Sequence, residues 1–93
     1  MAIQSFRDAD TEALYRTGRN KRWTNVANVA LRKLDMLNAA AVLNDLRIPP
    51  ANRLEALRGD RAGQHSIRIN DQWQVGFRWT EAGPVDGEIT DFH

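Results

Sequence analysis

The sequence predicts an α+β fold, with two N-terminal helices packed on one face of a mostly antiparallel sheet in the order β-α-α-β-β-β-β. Two observations carry this. Residues 73–79 alternate strictly, with Trp73, Val75, Phe77 and Trp79 on one side and Gln74, Gly76 and Arg78 on the other, as in a half-buried strand. Ala27, Ala30, Leu34, Leu37 and Ala41 recur at spacings of three and four, with Leu31 widening the stripe, as in a helix with one apolar face. That helix is expected to cover the apolar sheet face, leaving the polar, arginine-bearing face open as the working surface.

The chain has 93 residues, expected to form one domain over 1–93 with a modest core. It has no cysteine, so disulfide and thiolate chemistry are excluded. No apolar run is long enough for a bilayer, and residues 1–6 lack a signal-peptide pattern, so a cytoplasmic protein is expected, with no membrane partner. The net charge of +1 conceals an asymmetry. Residues 13–34 contain no acid but carry Arg16, Arg19, Lys21, Arg22, Arg32 and Lys33, whereas residues 80–93 carry four acids and no Lys or Arg. Such a basic zone either attracts a polyanion or is simply a solvated helix end.

In chain order, residues 2–6 alternate as a short first strand. Asp8 or Asp10 can cap a helix with Glu12 in its first turn, which Gly18 stops. Residues 19–23 form a basic connector. Thr24 is expected to cap the long helix over 25–41. Residues 43–48 cross back, and Pro49-Pro50 enforces an extended lead into two hairpins. Their strands are expected over 54–57, 65–69 and 73–79, with a turn cluster over 59–63 and a two-residue turn at Asn70-Asp71. Gly83-Pro84 reads as a turn before a last strand over 85–92, with Val85 and Ile89 pointing inward and Asp86, Glu88, Thr90 and Phe92 outward.

The chemistry is sparse. His65 and His93 are the only histidines, and neither sits at zinc-type spacing from a second ligand. There is no phosphate-cradling glycine loop and no nucleophile elbow, and no cofactor is expected. By strand parity Arg53 shares a side with Glu55, Ser66 with Arg68, and Gln74 with Arg78. Arg58, Arg61 and Arg68 can hold a phosphate or be tied up in salt bridges, Arg61 to Asp60 or Glu55 for example. Phe92 can stack on a base or fold back onto the core. His93 is either an inert end or a general acid or base of the type that titrates near neutral pH.

The stretch from Leu54 through Leu57-Arg58-Gly59-Asp60-Arg61-Ala62-Gly63, followed by Ser66-Ile67 and Trp73, resembles HigB-type toxins of the RelE/ParE superfamily. The start Ile3-Gln4-Ser5-Phe6 and the end Asp91-Phe92-His93 share the resemblance, which spans essentially the whole chain. It implies a RelE-like fold and the toxin half of a type II toxin–antitoxin pair. The implied activity is a ribosome-dependent mRNA endoribonuclease that inhibits translation. The implied partners are the ribosome with its mRNA and a HigA-type helix-turn-helix antitoxin, with operator DNA bound only through the antitoxin complex.

The resemblance also implies roles. His93 matches a terminal acid–base histidine, Asp91 the acid two residues before it, and Arg58 a phosphate clamp. Glu55 stands where some members have histidine, Gln74 where many have arginine, and Phe92 where tyrosine is usual. These three candidate catalytic positions predict a slower or more ribosome-dependent nuclease: a carboxylate in place of an imidazole accepts a proton but donates one poorly near neutral pH. Arg53, Arg61, Arg68, Arg78, Arg22 and Lys21 are the candidate RNA-binding residues, although the stretch 16–23 can equally face the antitoxin. Two other functions remain open: a ParE-like inhibitor of a DNA topoisomerase that cleaves nothing, and a degenerate toxin retained as an operon co-regulator.

Overall fold

The computed structural model describes residues 2–91; Met1, Phe92 and His93 lie outside the described residues. Two helices, α1 (Ala9–Thr17) and α2 (Ala27–Ala39), precede a four-stranded antiparallel meander of β1 (Glu55–Ala56), β2 (His65–Arg68), β3 (Gln74–Thr80) and β4 (Gly83–Thr90), in the spatial order β1-β2-β3-β4.

The α1 signals behave as their chemistry dictates. The Asp8 carboxylate accepts from the Thr11 N–H at 2.9 Å, Asp10 and Glu12 occupy the first turn, and Gly18 closes the helix at φ 77°, donating to the Leu14 carbonyl. The second helix is shorter than the sequence predicts. Thr24 does not cap it: its hydroxyl donates to the Asn20 and Lys21 carbonyls and closes a 3₁₀ turn at Lys21–Trp23. Trp23 is buried by that turn, so the basic connector is also a core anchor.

The core lies between the helices and one sheet face. Ala30, Leu34 and Leu37 of α2 and Leu14 of α1 meet Ile67, Val75, Phe77 and Ile89. Trp73 and Trp79 pack at its margins. Thr11 is also buried; its hydroxyl accepts from the Ile89 N–H at 3.1 Å, pinning α1 to β4.

The alternating start of the chain makes an isolated parallel bridge, Phe6 to Gly87, where a strand was expected. Gln4 N–H donates to the Pro84 carbonyl and Arg7 N–H to that of Gly87. The reason lies in β4. Between the pairs Gly76–Glu88 and Arg78–Val85, Phe77 alone faces Asp86 and Gly87, and Asp86 adopts φ 56°. This bulge breaks the edge along which a longer strand would pair. It also reverses the side on which Val85 lies. Val85 pairs with Arg78 and so belongs to the open face, not the inner one, while Ile89 is inward as predicted.

Other boundaries shift. Pro49-Pro50 does not hold the chain extended: Pro50 starts a 3₁₀ turn, Pro50–Asn52, at the first helical position where proline is tolerated. The Asn70-Asp71 turn widens to three residues because Asn70 Oδ1 accepts from the N–H groups of both Gln72 and Trp73. Gly83 and Pro84 belong to β4, and the turn before them is Glu81-Ala82.

Candidate functional site

Register orders the open face into rows. Glu55 pairs with Ser66, Ser66 with Gly76, and Gly76 with Glu88, giving one row across all four strands. Toward the β2–β3 loop the next row is Arg68, Gln74 and Thr90. Directly paired residues of antiparallel strands point to the same side. The middle row has small residues, Ser66 and Gly76, between its two glutamates, so the sheet surface is indented there.

The indentation is the floor of a cleft of about 300 Å³. Arg53, Glu55, Leu57, Ser66, Arg68 and Gln74 line it, with Asn70 and Asp71 of the loop at one end. Two cations, Arg53 and Arg68, and two carboxylates, Glu55 and Asp71, therefore converge from β1 and its flank, from β2 and from the β2–β3 loop. Arg68 pairs with Asp71, whose side chain is fully exposed. An ion pair held on one side by a solvated carboxylate contributes little and exchanges readily for another anion. Arg53 reaches the cleft from a left-handed backbone, φ 46° and ψ 55°.

The remaining predicted residues are placed as follows. Arg58 is exposed, one residue beyond Leu57, where the cleft wall ends. Arg61 is paired with Glu88 at 2.9 Å and donates to Gln64; neither Asp60 nor Glu55 is the ion-pair partner that the sequence suggested. Arg7 also reaches Glu88, at 3.8 Å. A Cβ on Gly63 would lie 2.8 Å from Arg78 Nη1, so that guanidinium packs against the turn. Arg22 stacks 4.6 Å over the Trp23 ring and pairs with Asp10 at 3.5 Å. Lys21 borders a separate groove with Gly18, Arg19, Asn20, Thr24 and Ala27. Arg16 pairs with Glu12, and Lys33 is buried, so the acid-free stretch is less basic in three dimensions than along the chain.

Of the C-terminal candidates only Asp91 is among the described residues, and it follows the end of β4. Thr90 pairs with Gln74, and Asp91 follows it, exposed. Phe92 and His93 lie outside the described residues. His65 is inward, stacked on Phe77 with ring centroids 6.2 Å apart, and does not line the cleft. Burial pushes its pKa below the usual histidine value, and the nearby Arg47 charge adds to this. Asn70 and Asp71 are cleft residues that sequence reasoning read only as a turn; their signal was the turn's position at the end of the Arg68–Gln74 pair. Among the described residues no group of three His, Cys, Asp or Glu side chains can hold a metal ion, and no helix is long and apolar enough to cross a membrane.

The whole chain superposes on a YoeB/ParE toxin from Agrobacterium tumefaciens with a TM-score of 0.54, covering 100% of this chain and 99% of that one at 20% identity. The architecture is thus that of RelE/ParE-type toxins. The profile of the family described as RelE-like toxin of type II toxin-antitoxin system HigB matches residues 4–93, and the chain belongs to that family. It is 40% identical over 83 residues to Toxin HigB-1 of Vibrio cholerae, covering 87% of this chain and 86% of that one. It is also 40% identical over 92 residues to an uncharacterized protein of Haemophilus influenzae, covering 97% and 90% respectively. As a type II toxin it has an antitoxin as partner.

Proposed function

We propose that this toxin is a cytoplasmic, ribosome-dependent mRNA endoribonuclease, neutralised by a HigA-type helix-turn-helix antitoxin that carries it to operator DNA. The observation that supports this reading is the open-face cleft, which Arg53, Glu55, Arg68 and Gln74 line, with Thr90 of β4 paired to Gln74. Metal-free RNA cleavage needs such a set. The 2′-hydroxyl attacks the adjacent phosphorus, a new P–O bond forms, and the bond to the 5′-oxygen breaks, leaving a 2′,3′-cyclic phosphate and a free 5′-hydroxyl. One group takes the 2′ proton, another returns a proton to the leaving 5′-oxygen, and cations stabilise the phosphorane.

In this reading Glu55 takes the proton and His93 returns one. Arg68 exchanges Asp71 for the scissile phosphate, with Arg53 beside it. Phe92 offers a stacking surface, Asp91 orients the terminal imidazole, and exposed Arg58 holds the flanking backbone. Arg78, Lys21 and Arg22 contact RNA more distantly, and Arg61 does so only by leaving Glu88. The test is primer extension on mRNA in a purified translation system, comparing the protein with His93→Ala. Cuts that require ribosomes and fade in the variant support the reading. Growth arrest in cells without cuts from either protein points to a topoisomerase inhibitor, and neither cuts nor arrest to an operon co-regulator.

A further inference from the structure

Asn52 is fully buried, an uncommon position for an amide, and both polar atoms of its side chain are engaged. Its Oδ1 accepts from Lys33 Nζ at 2.5 Å, and its Nδ2 donates to the Leu46 carbonyl at 3.1 Å. Lys33 is itself nine-tenths buried on α2, and among the described residues no carboxylate pairs with it. An ammonium placed in a core against a neutral acceptor is costly, and an apolar side chain of the same length would pack there at lower cost. The contact does fix one thing: it ties the Pro50–Asn52 turn to α2.

The next residue is Arg53. Its left-handed backbone is rare for a long side chain and persists only where the surroundings over-determine it. Those surroundings are Asn52 on one side and β1, paired through Glu55 and Ser66, on the other. If Arg53 relaxed to negative φ, the chain direction would change between two fixed points. Either Asn52 would leave its pocket or the Arg53 side chain would leave the cleft that it lines. Burial, followed by the charges of Arg32 and Arg68, lowers the Lys33 pKa.

We propose that Lys33 is a positioning residue: through Asn52 it holds Arg53 left-handed, so that the Arg53 guanidinium supplies to a bound RNA phosphate a positive charge that Gln74 does not carry. The proposal rests on the nuclease reading. It is tested with the full-length protein by two independent measurements. NMR reads the short intraresidue HN–Hα distance that marks positive φ at Arg53. Cleavage kinetics on mRNA-programmed ribosomes separate KM from kcat.

Lys33→Met is expected to abolish the left-handed signature and to raise KM about tenfold, the effect of one lost charge-assisted phosphate contact. Lys33→Gln, which keeps an N–H donor, is expected to restore part of both. Arg53→Gly keeps the backbone left-handed and removes only the guanidinium; it should raise KM equally, and Lys33→Met should add nothing to it. A left-handed Arg53 surviving in Lys33→Met, or multiplicative effects of the two substitutions, would overturn the proposal. If Lys33→Met does not fold, a wild-type KM for Arg53→Gly overturns it, and the expected rise together with the Lys33→Gln signature supports it. If the wild-type protein cleaves nothing, the nuclease reading falls, and the NMR signature alone decides whether Lys33 positions Arg53.

Discussion

Placing a guanidinium at position 74 tests the proposed nuclease reading, in which the phosphorane forms in the cleft. Gln74 pairs with Arg68 across β2 and β3, so an arginine there would share the cleft with Arg68 and Arg53. A preorganised donor aimed at transition-state charge contributes about 3–4 kcal/mol. Against this stands repulsion: two guanidiniums about 6 Å apart repel by roughly 1 kcal/mol in water and roughly 3 kcal/mol at an effective dielectric of 20. The cleft is open and Arg68 is already paired with Asp71, so the lower figure applies. The net gain is about 2 kcal/mol, roughly thirtyfold in rate. Gln74→Arg is therefore expected to speed single-turnover cleavage of a fixed mRNA on purified ribosomes about ten- to hundredfold. The same repulsion is expected to lower Tm by about 4–8 °C, the shift that roughly 1 kcal/mol produces in a chain of this size. A folded variant that cuts no faster than the parent would show that charge at position 74 does not limit the reaction, and the cleft would lose its claim.

Three further outcomes follow from the geometry. Arg68→Ala should lower cleavage about a hundredfold, whereas Arg61→Ala, whose side chain is spent on Glu88, should cost only a few-fold in rate and about 1 kcal/mol in denaturant stability; equal rate losses would contradict this division. His65 has a folded pKa below its ordinary 6.5, so below that value the unfolded state binds the extra proton. Its stabilising contribution is complete above pH 6.5 and is lost as the pH falls through the window beneath; urea titrations at several pH values should show this slope flattened in His65→Phe. Gly63→Ala should cost about 1–2 kcal/mol, because φ is 92° and the new Cβ displaces the Arg78 guanidinium; an unchanged Tm would mean that the turn is freely remodelled.

The fold was legible where periodicity is enforced by burial on one side. Val75 and Phe77 had to face a core, and Ala30, Leu34 and Leu37 had to provide it, whatever the neighbouring turns did. Legibility failed where a side chain had two competing uses. Thr24 offers a hydroxyl that can cap a helix, but it closes the preceding turn, because burying Trp23 brings the Asn20 and Lys21 carbonyls to it. Pro50 excludes helix interiors but not helix starts, and the buried Asn52 draws the chain into a 3₁₀ turn. Lys33 was read as part of a basic surface because nothing local distinguishes a lysine that finds an amide 19 residues away.

The candidate site was legible for a narrower reason. A strand's period of two lets one extra residue reverse every assignment beyond it. Counting forward from Val85 across Asp86 crosses the bulge, and that is where the inward assignment of Val85 failed. The assignments of Glu88 and Thr90 lie beyond the bulge, anchored by buried Ile89, so they hold. The residues that matter to the cleft on β4 are all on that side. The register of Arg68 and Gln74 depends on the loop between them: a two-residue Asn70-Asp71 turn would set Arg68 opposite Trp73, and the third loop residue, Gln72, is what brings Arg68 to face Gln74 and Ile67 to face Val75. What the sequence could not contain was the third dimension of Arg53. Its place in the cleft depends on a backbone angle that no arginine prefers, imposed by partners on a different helix.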